Sequence, residues 1–519
     1  MSAVSNRFSR LERPARLSLL ALACVAAVGC ASVQPVALST DEMKAERDKD
    51  SQEMRKDVAP LGGPLTLDEA MARALKYNLE RRSRMMEEAL ARGQLDVAKF
   101  DMLPRIMAQA GYAYRDRTRF TYSSAYPDEH PTSTTPSTTT DRNRSTQDLG
   151  LTWSMLDLGL GFYGSKQQAD RFLVAGEKRR KAMHLLMQDV RTAYWRAASA
   201  QLLKADVQKT IALAEDALSD SRKASGERVR NPLEPLRYQR QLLENLRLLE
   251  SINQELSSAQ VELAALINAP HNQPIQIAVA DLKNISDESL QVPTEKLEEV
   301  ALHNNADLRE QHYNVRIAQL ETRRTLLRMF PNLSFNYGAK YDTDRYLLSN
   351  NWNEAGVQLS FNLMNIFTAE SQMKLAEAGV TLAQQRRMAA QAAVITQVHL
   401  SRLQVMNARS QFDRADAIYE TDGKIAEVMR NRQSVQAQSK LDVVSTETSA
   451  ILSLLRRYQA LAQVQVAENR MLATLGLEPQ IGSTSELSLK DLTEQLSRAR
   501  APWKQIQQGQ AIKVSEAPK

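Results

Sequence analysis

Hydrophobic and polar residues follow two different periods along this chain, and these periods occur in the same order twice. Residues 67–100 place apolar side chains at helical spacing, which predicts an amphipathic helix that Pro104 terminates. Residues 106–114 and 149–155 place them at every second position, as β-strands do. Two further helical stretches follow, one over about 165–226 and one returning to about 268. The predicted order of the first unit is therefore helix, strand, strand, helix, helix.

The same order returns in the second half of the chain. Its landmarks recur at two fixed offsets. The offset is 227 residues for the pairs Asn78/Asn305 and Pro104/Pro331, and 208 residues for the pairs Asp157/Asn365 and Asn231/Ser439. The 19 extra residues lie between the two strands of the first unit, where a Thr-rich tract occupies 132–140. A period near 200 residues is far longer than a solenoid repeat, so the pattern predicts a duplicated, domain-sized unit.

The four predicted strands are about ten residues long, with one apolar face and one polar or small-residue face. This pattern is typical of a transmembrane β-barrel wall, and equally of a soluble antiparallel sheet that rests on helices. Four strands cannot close a barrel, which needs about eight, and lipid does not tolerate open edges. A barrel would therefore have to be shared by several chains. Because outer-membrane barrels carry their long loops outside the cell, we expect the Thr-rich loop to face outward.

The long predicted helix spans about 60 residues, or roughly 90 Å. The two shorter helices of the unit together equal this length, so we expect them to lie end to end alongside it. The returning helices start with good capping residues: Asn231 is followed by Pro232 and Glu234 in the first unit, and Ser439 by Asp442 in the second.

The N-terminal residues have the features of an export signal. Four arginines between positions 7 and 16 precede an apolar run over 17–29. Its 13 residues would span about 20 Å as a helix, short of the ~30 Å hydrocarbon core. The run ends at Cys30 and resembles a bacterial lipobox. We therefore expect a signal peptide over 1–29 and lipidation of Cys30, the alternative being ordinary cleavage that leaves a free thiol.

Composition narrows the function classes. Hydrophobic residues make up 43% of the chain but aromatic ones only 5%, which favours long helices. The net charge of +6 is spread along these helices, so nucleic acid is not an expected partner, and the basic run 179–181 is expected to be a solvated helix face. The six histidines lack ligand spacing, so no metal site is predicted.

A glycine motif over 159–164 has the G-x-G-x-x-G spacing of dinucleotide-binding loops. The helix that follows is about twice too long for that fold, so we expect the glycines to turn the chain between strand and helix instead. Neither catalysis nor a cofactor is indicated.

Four matching segments in this order, and their duplication, resemble the TolC family of outer-membrane efflux and secretion channels. They are 65–70 with Asn78, 103–104, 153–159 and 439–444. The resemblance covers 65–477, and the lipobox makes the chain most similar to the lipoprotein branch. It implies an α+β membrane protein in which long helical hairpins form a periplasmic α-barrel. Four strands from each of three chains would form a shared 12-stranded β-barrel in the outer membrane.

The resemblance also implies a periplasmic entrance at the hairpin tips, closed at rest by ionic and hydrogen-bonded contacts. The candidate gate and adaptor-docking residues are Gly226, Arg228, Arg230, Asn231, Arg430, Arg432, Gln433 and Ser439. No clear acidic ring accompanies them, and the arginines can equally be solvated helix-end charges. The implied partners are two further copies of the chain, a periplasmic adaptor, a proton- or ATP-driven inner-membrane pump and outer-membrane lipid.

The predicted organisation is a signal peptide (1–29), a lipid-anchored linker (30–64), two repeats (65–270 and 293–478), a connector (271–292) and a polar tail (479–519) that wraps the outside or is disordered. The expected function is passive export, of small molecules or, alternatively, of a polypeptide in type I secretion. A lipid-anchored adaptor or coiled-coil protein without a pore is the rival class.

Overall fold

A computed structural model describes residues 37–122, 135–226, 233–270, 275–278, 288–434, 440–477, 484, 486–499 and 503–508. The predicted signal peptide and Cys30 lie outside these residues. Helix α1 (Thr40–Arg55) falls in the predicted linker, in a compact unit that ends at Asp57. It begins with a capping box between Ser39 and Glu42 and has no buried residue.

The second unit begins at Val58 and contains the remaining elements. The first repeat consists of α2 (Leu67–Tyr77), α3 (Leu79–Phe100), β1 (Arg105–Tyr114), β2 (Asn143–Ser154), α4 (Met155–Gly226) and α5 (Leu233–Leu266). The second consists of α6 (Thr294–Asn304), α7 (Ala306–Arg328), β3 (Asn332–Asp342), β4 (Asn351–Ser360), α8 (Met364–Ser434) and α9 (Lys440–Thr474). Two short helices follow, α10 (Leu489–Arg498) and α11 (Trp503–Gln507).

The first predicted helix, 67–100, is in fact two helices, because Asn78 interrupts it. Asn78 adopts an extended conformation, and its side chain accepts a hydrogen bond from Arg81 N, so the residue ends α2 and caps α3. Its amide nitrogen donates to Leu266 O, 3.1 Å away, at the end of α5. Asn305 does the same in the second repeat, where its side chain caps α7 and donates to Thr474 O at 2.8 Å.

The two returning helices end at equivalent residues with a left-handed backbone. Asn268 has φ of 53° and Gly476 has φ of 67°, and these residues lie 208 positions apart. A Cβ on Gly476 would overlap the backbone carbonyl of Asn304, so this close approach requires glycine. Arg180, itself buried, donates to Gly476 O at 3.0 Å and so joins α4 to this corner.

Helix α4 is longer than predicted, because it begins directly after β2 at Met155. The expectation that the glycines of 159–164 turn the chain is therefore wrong: all three lie inside the helix. Gly161 instead permits a close approach to the end of α3, since a Cβ there would stand 2.8 Å from Asp101 O. With 72 residues, α4 is about 108 Å long.

The predicted packing of short helices along the long ones is confirmed. Helix α4 packs against α3 and α5 of its own repeat and against α7 and α9 of the other, and α8 packs against α7 and α9. The core includes Tyr194, whose hydroxyl lies 2.6 Å from Ala278 O, and burial raises the pKa of Tyr194 to about 12. Among the described residues, no helix is both long and apolar enough to cross a membrane.

The described parts of the C-terminal segment are packed. Leu492 and Leu496 of α10 are buried against α2, and Trp503 and Ile506 of α11 are buried as well. Lys296 donates to Gln507 O at 2.8 Å, which joins α11 to α6. The tail is expected either to wrap the outside or to be disordered, and these residues pack against α2 and α6, in agreement with the first expectation. The remainder of 479–519 lies outside the described residues.

The four strands form one antiparallel sheet in the order β1-β2-β3-β4. Both hairpins have the same register once the two sequence offsets are applied. Arg105 pairs with Thr152 in the first, and their counterparts Asn332 and Ser360 pair in the second. At the other end Tyr114 pairs with Asn143, and Tyr341 pairs with Asn351.

Candidate functional site

The sheet has one apolar and one polar face, as the alternation of the sequence predicts. Directly paired residues share a face of a sheet, so the apolar face can be followed across the strands. Its most apolar rows are Ile106–Leu151–Tyr337–Ala355, Ala108–Leu149–Ala339–Asn353, Trp153–Phe335–Val357 and Leu333–Leu359, and the next row towards the loops, Ala110–Gln147–Tyr341–Asn351, is mixed. The large side chains of these rows are exposed, apart from the partly buried Leu333. An exposed apolar surface of this extent is typical of a face that meets lipid or another protein.

Tyrosine and tryptophan lie towards the two ends of this apolar face. Tyr112, Tyr114 and Tyr341 are near the loop end of the sheet. Trp153 and Phe335, which pair with each other, are near the end that continues into the helices. Such aromatic rings flank the lipid-facing band of transmembrane barrels.

The opposite face carries charged, amide and hydroxyl side chains and glycines, with Met107, Ala113 and Trp352 as exceptions. Lys340 on β3 lies 2.5 Å from Glu354 on β4 and shares the middle of the face with Asp148 on β2. Gly338 makes room for this group, because a Cβ there would stand 3.3 Å from Asp148 Oδ1 and 3.8 Å from Lys340 Cε. Two carboxylates and one ammonium therefore lie together on the polar face.

The loops beyond the sheet are tied to each other by charged contacts. Arg345, in the loop after β3, donates two hydrogen bonds of 2.7 and 2.8 Å to Asp141, in the loop before β2. The Arg345 guanidinium lowers the pKa of the Asp141 carboxyl. The predicted Thr-rich tract is described from residue 135 onward, and there Ser137 forms an isolated antiparallel bridge with Thr121.

At the opposite end of the long helices, the α8–α9 hairpin carries an ion pair between its two arms. Arg430 Nε lies 2.6 Å from Glu447 Oε1. Deeper in the hairpin, Arg457 pairs with Asp416 and stacks over Tyr419, with 5.1 Å between guanidinium and ring centroid. Sequence reasoning missed Glu447, although residues at similar distances from the turn of an antiparallel hairpin face each other.

The other predicted tip residues are only partly within the described residues. Gly226 is the last residue of α4, and Arg432 is exposed near the end of α8. Gln433 belongs to the last turn of α8, but its side chain is not described. Arg228, Arg230, Asn231 and Ser439 lie outside the described residues, as do the predicted caps at Asn231 and Ser439. In the structure, Arg430 therefore pairs with a carboxylate. The assignment of these residues to a gate stays a prediction.

The expectation that 179–181 is a solvated helix face is wrong for Arg179 and Arg180, which are partly buried and buried, whereas Lys181 is exposed. Arg180 is buried and pairs with Glu177, while Arg179 Nε lies 2.7 Å from a carboxylate oxygen of Glu88 on α3. Lys181 Nζ lies 2.8 Å from Asp307 on α7. The physical reason is that α4 has neighbouring helices on several sides. Arg179 and Lys181 therefore meet carboxylates of other helices, whereas Arg180 pairs with Glu177 of α4 and reaches the backbone at Gly476.

An ion pair and a hydrogen bond link α4 to α7 nearer the sheet. Arg316 pairs with Asp170, and Arg324 Nη1 donates to Gln167 Oε1 at 2.8 Å. Burial raises the pKa of Asp170, an effect that Arg316 opposes. No group of three or more potential metal ligands occurs within the described ranges.

Comparison with solved structures establishes the fold. The Campylobacter jejuni CmeC outer membrane channel matches with a TM-score of 0.62 at 12% identity, over 90% of this chain and 94% of its own. The Neisseria gonorrhoeae MtrE outer membrane channel matches with a TM-score of 0.56 at 15% identity, over 79% and 89%. The Vibrio cholerae outer membrane protein VceC also gives 0.56, at 14% identity over 79% and 96%.

The chain therefore has the TolC-like fold of outer membrane channels, with long helices and a strand-contributed sheet, as the sequence resemblance implies. No protein-family model and no curated protein sequence matches the chain.

Proposed function

We propose that this protein is the outer-membrane duct of a tripartite export system and passively conducts small molecules out of the periplasm. The observation that carries the proposal is the sheet. Its exposed apolar face suits lipid, its polar face suits a water-filled lumen, and both hairpins continue into helices of 72 and 71 residues. The names of the solved relatives, which are outer membrane channels, support the same location.

The duct is assembled from three copies. Among the described residues, β1 and β4 pair on one side only, so the sheet has two open edges. Open edges are costly in lipid because their backbone groups lack partners. Three copies supply twelve strands, enough to close a barrel, whereas one copy supplies four.

The hairpin ends form the periplasmic entrance, where a periplasmic adaptor and an inner-membrane pump dock. Arg430 and Glu447 lie near this end, where their ion pair holds the two arms of the α8–α9 hairpin together, and we assign this contact to the closed form of the entrance. Acylation of Cys30 anchors each chain to the outer membrane in addition to the barrel.

Efflux and protein secretion are distinguished by deleting the gene in its own host. Efflux predicts that the deleted strain becomes susceptible to several unrelated drugs and that the intact gene restores resistance. Unchanged susceptibility with a large polypeptide retained in the cell would indicate type I secretion instead. A strain with neither phenotype would contradict an export function.

The orientation of the duct is tested by epitope insertion. A tag inserted near Thr138 should bind antibody on intact cells, because the proposal puts that loop outside. A control tag inserted within 435–439 should bind only after the outer membrane is permeabilised. The rival class, an adaptor or coiled-coil protein without a pore, predicts that neither tag is accessible on intact cells.

A further inference from the structure

The two repeats provide a template for the contact between copies. Strands β1 and β3 are counterparts at an offset of 227 residues, and β2 and β4 at an offset of 208, with every hairpin pair preserved. Strand β2 is already joined to β3, which is the contact between one repeat and the next. Strand β4, the counterpart of β2, lies at an edge of the sheet, and so does β1, the counterpart of β3.

We infer that β4 of one copy pairs with β1 of the next copy in the register that β2 and β3 use within the chain. The inference rests on the proposed shared barrel and specifies its seam. Within the chain Leu149 is opposite Ala339. The counterpart of Leu149 is Val357, 208 residues later, and the counterpart of Ala339 is Tyr112, 227 residues earlier. In the inferred register, Val357 therefore lies opposite Tyr112 of the next copy.

This register joins like faces. A shift of one residue would turn every side chain of a strand to the other face. In the inferred register, the apolar-face residues Val357 and Leu359 meet Tyr112 and Ala110 of the next copy, which belong to the same face. The apolar and polar faces therefore continue unbroken across the seam.

Opposite charges meet at the end of the inferred ladder. The last β2–β3 pair, Thr146 with Asp342, has Glu354 and Arg115 as its counterparts. Arg115 directly follows β1 and is exposed, and Glu354 is exposed on β4. A cross-strand pair of opposite charge stabilises a register, whereas a shifted register would separate these two residues.

The helices next to the sheet support the same seam independently. Within the chain, a Leu327 methyl group lies 3.1 Å from where a Cβ would stand on Gly159. The counterparts of these residues are Phe100 and Phe367. Both rings are exposed in the single chain, 68% for Phe100 and 78% for Phe367. The seam brings Phe367 against Phe100 of the next copy and removes both rings from water.

Further from the sheet, a second pair of counterparts is also apolar at the seam. Gln167 and Arg324 form a hydrogen bond between α4 and α7, and their counterparts are Leu375 and Val97. Leu375 and Val97 are both exposed on the single chain. The Gln167–Arg324 contact within the chain is polar. Its counterpart between copies, Leu375 with Val97, is apolar, as is typical of the buried centre of an interface between protein chains.

Cysteine pairs test the register in the full-length protein in its own outer membrane. The double variant Val357→Cys/Tyr112→Cys should form intermolecular disulfides on mild oxidation, giving dimers and covalently closed trimers on non-reducing gels. The controls Val357→Cys/Ala110→Cys and Val357→Cys/Tyr114→Cys should give about tenfold less product, because diagonal Cβ atoms lie roughly 7 Å apart, beyond disulfide reach. Each single variant controls for the native cysteines.

The outcomes separate the register from the proposed function. Efficient linkage of a shifted control, with little from Val357→Cys/Tyr112→Cys, would overturn the register while retaining the shared barrel. A second double variant, Phe100→Cys/Phe367→Cys, linked by a short bis-maleimide, tests the helical seam should the strand variants fail to assemble. Lack of intermolecular product from every pair, in protein that reaches the membrane, would contradict the shared barrel itself.

Discussion

Asn78 and Asn305 show how single side chains position whole helices. Each amide uses both of its chemical capacities: the oxygen caps the following helix, and the nitrogen donates to the end of the returning helix. Only an amide of this length offers an acceptor and a donor in that arrangement. The sequence marked both positions as landmarks, but it could not show that the nitrogen reaches a helix almost 190 residues away in the first repeat.

Replacing Asn305 tests this dual role. Asn305→Asp keeps the capping oxygen but sets a carboxylate oxygen against Thr474 O in a buried position, which should cost roughly 1–3 kcal/mol of folding free energy. Asn78→Asp should cost less, since Asn78 is only partly buried. Thermal unfolding followed by circular dichroism measures both. The exposed Asn407→Asp serves as the control, and an equal effect there would contradict the role of Asn305.

Gly476 gives a second residue-scale prediction. Gly476→Ala places a Cβ on the backbone of Asn304 at a positive φ, so the melting temperature should fall by an amount equivalent to at least about 1–3 kcal/mol. Gly423→Ala, inside α8 with nothing within 4 Å of the new Cβ, should instead gain about 0.5–1 kcal/mol. Equal effects at the two positions would show that Gly476 is not conformationally required.

At the scale of elements, the polar face of the sheet should determine which ions pass. Asp148, Lys340 and Glu354 together contribute one net negative charge per chain to this face. Lys340→Gln should therefore raise the permeability ratio of K⁺ to Cl⁻, and Asp148→Asn should lower it. Reversal potentials in a KCl gradient measure both. Lys374→Gln, at an exposed position of α8, is the control. An equal shift of the permeability ratio in this variant would contradict the role of the sheet in ion selectivity.

Element order could be predicted from the sequence, whereas several junctions could not. Alternation identified the four strands and their faces because one face is mainly apolar, and Pro104 and Pro331 mark where β1 and β3 begin. The start of α4 at Met155 was missed because three glycines suggested a turn; they are helical instead, and Gly161 allows α3 to approach closely. The burial of Arg180 depends on segments distant in sequence, at Asn304 and Gly476, so no local pattern indicated it.

The candidate entrance was less predictable than the sheet. Arg430 could be selected as a charge near a helix end, but its partner Glu447 belongs to the other arm of the hairpin. The pairing depends on how α8 and α9 pack, which spacing alone leaves open. The sequence therefore indicated where the entrance lies but not which contacts hold its end together.

At the scale of the whole molecule, a single chain is an incomplete part of the proposed assembly. Within the described residues, its sheet has two open edges and an exposed apolar face, and exposed apolar side chains such as Phe100 and Phe367 lie on its helices. If three copies close one barrel above one helical tunnel, the strand edges pair with each other, the exposed helical side chains meet the next copy, and lipid covers the apolar face. The same assembly would give the polar face of the sheet a water-filled interior, which is what a passive duct needs.

Conductance of the purified oligomer in a planar lipid bilayer tests this central claim most directly. The account predicts uniform conductance steps, small for the wild-type protein and larger for Arg430→Glu, because that substitution turns the attraction to Glu447 into repulsion at the hairpin end. Lys374→Gln should match the wild type. A stable, membrane-inserted oligomer that conducts neither as the wild type nor as Arg430→Glu would contradict the account.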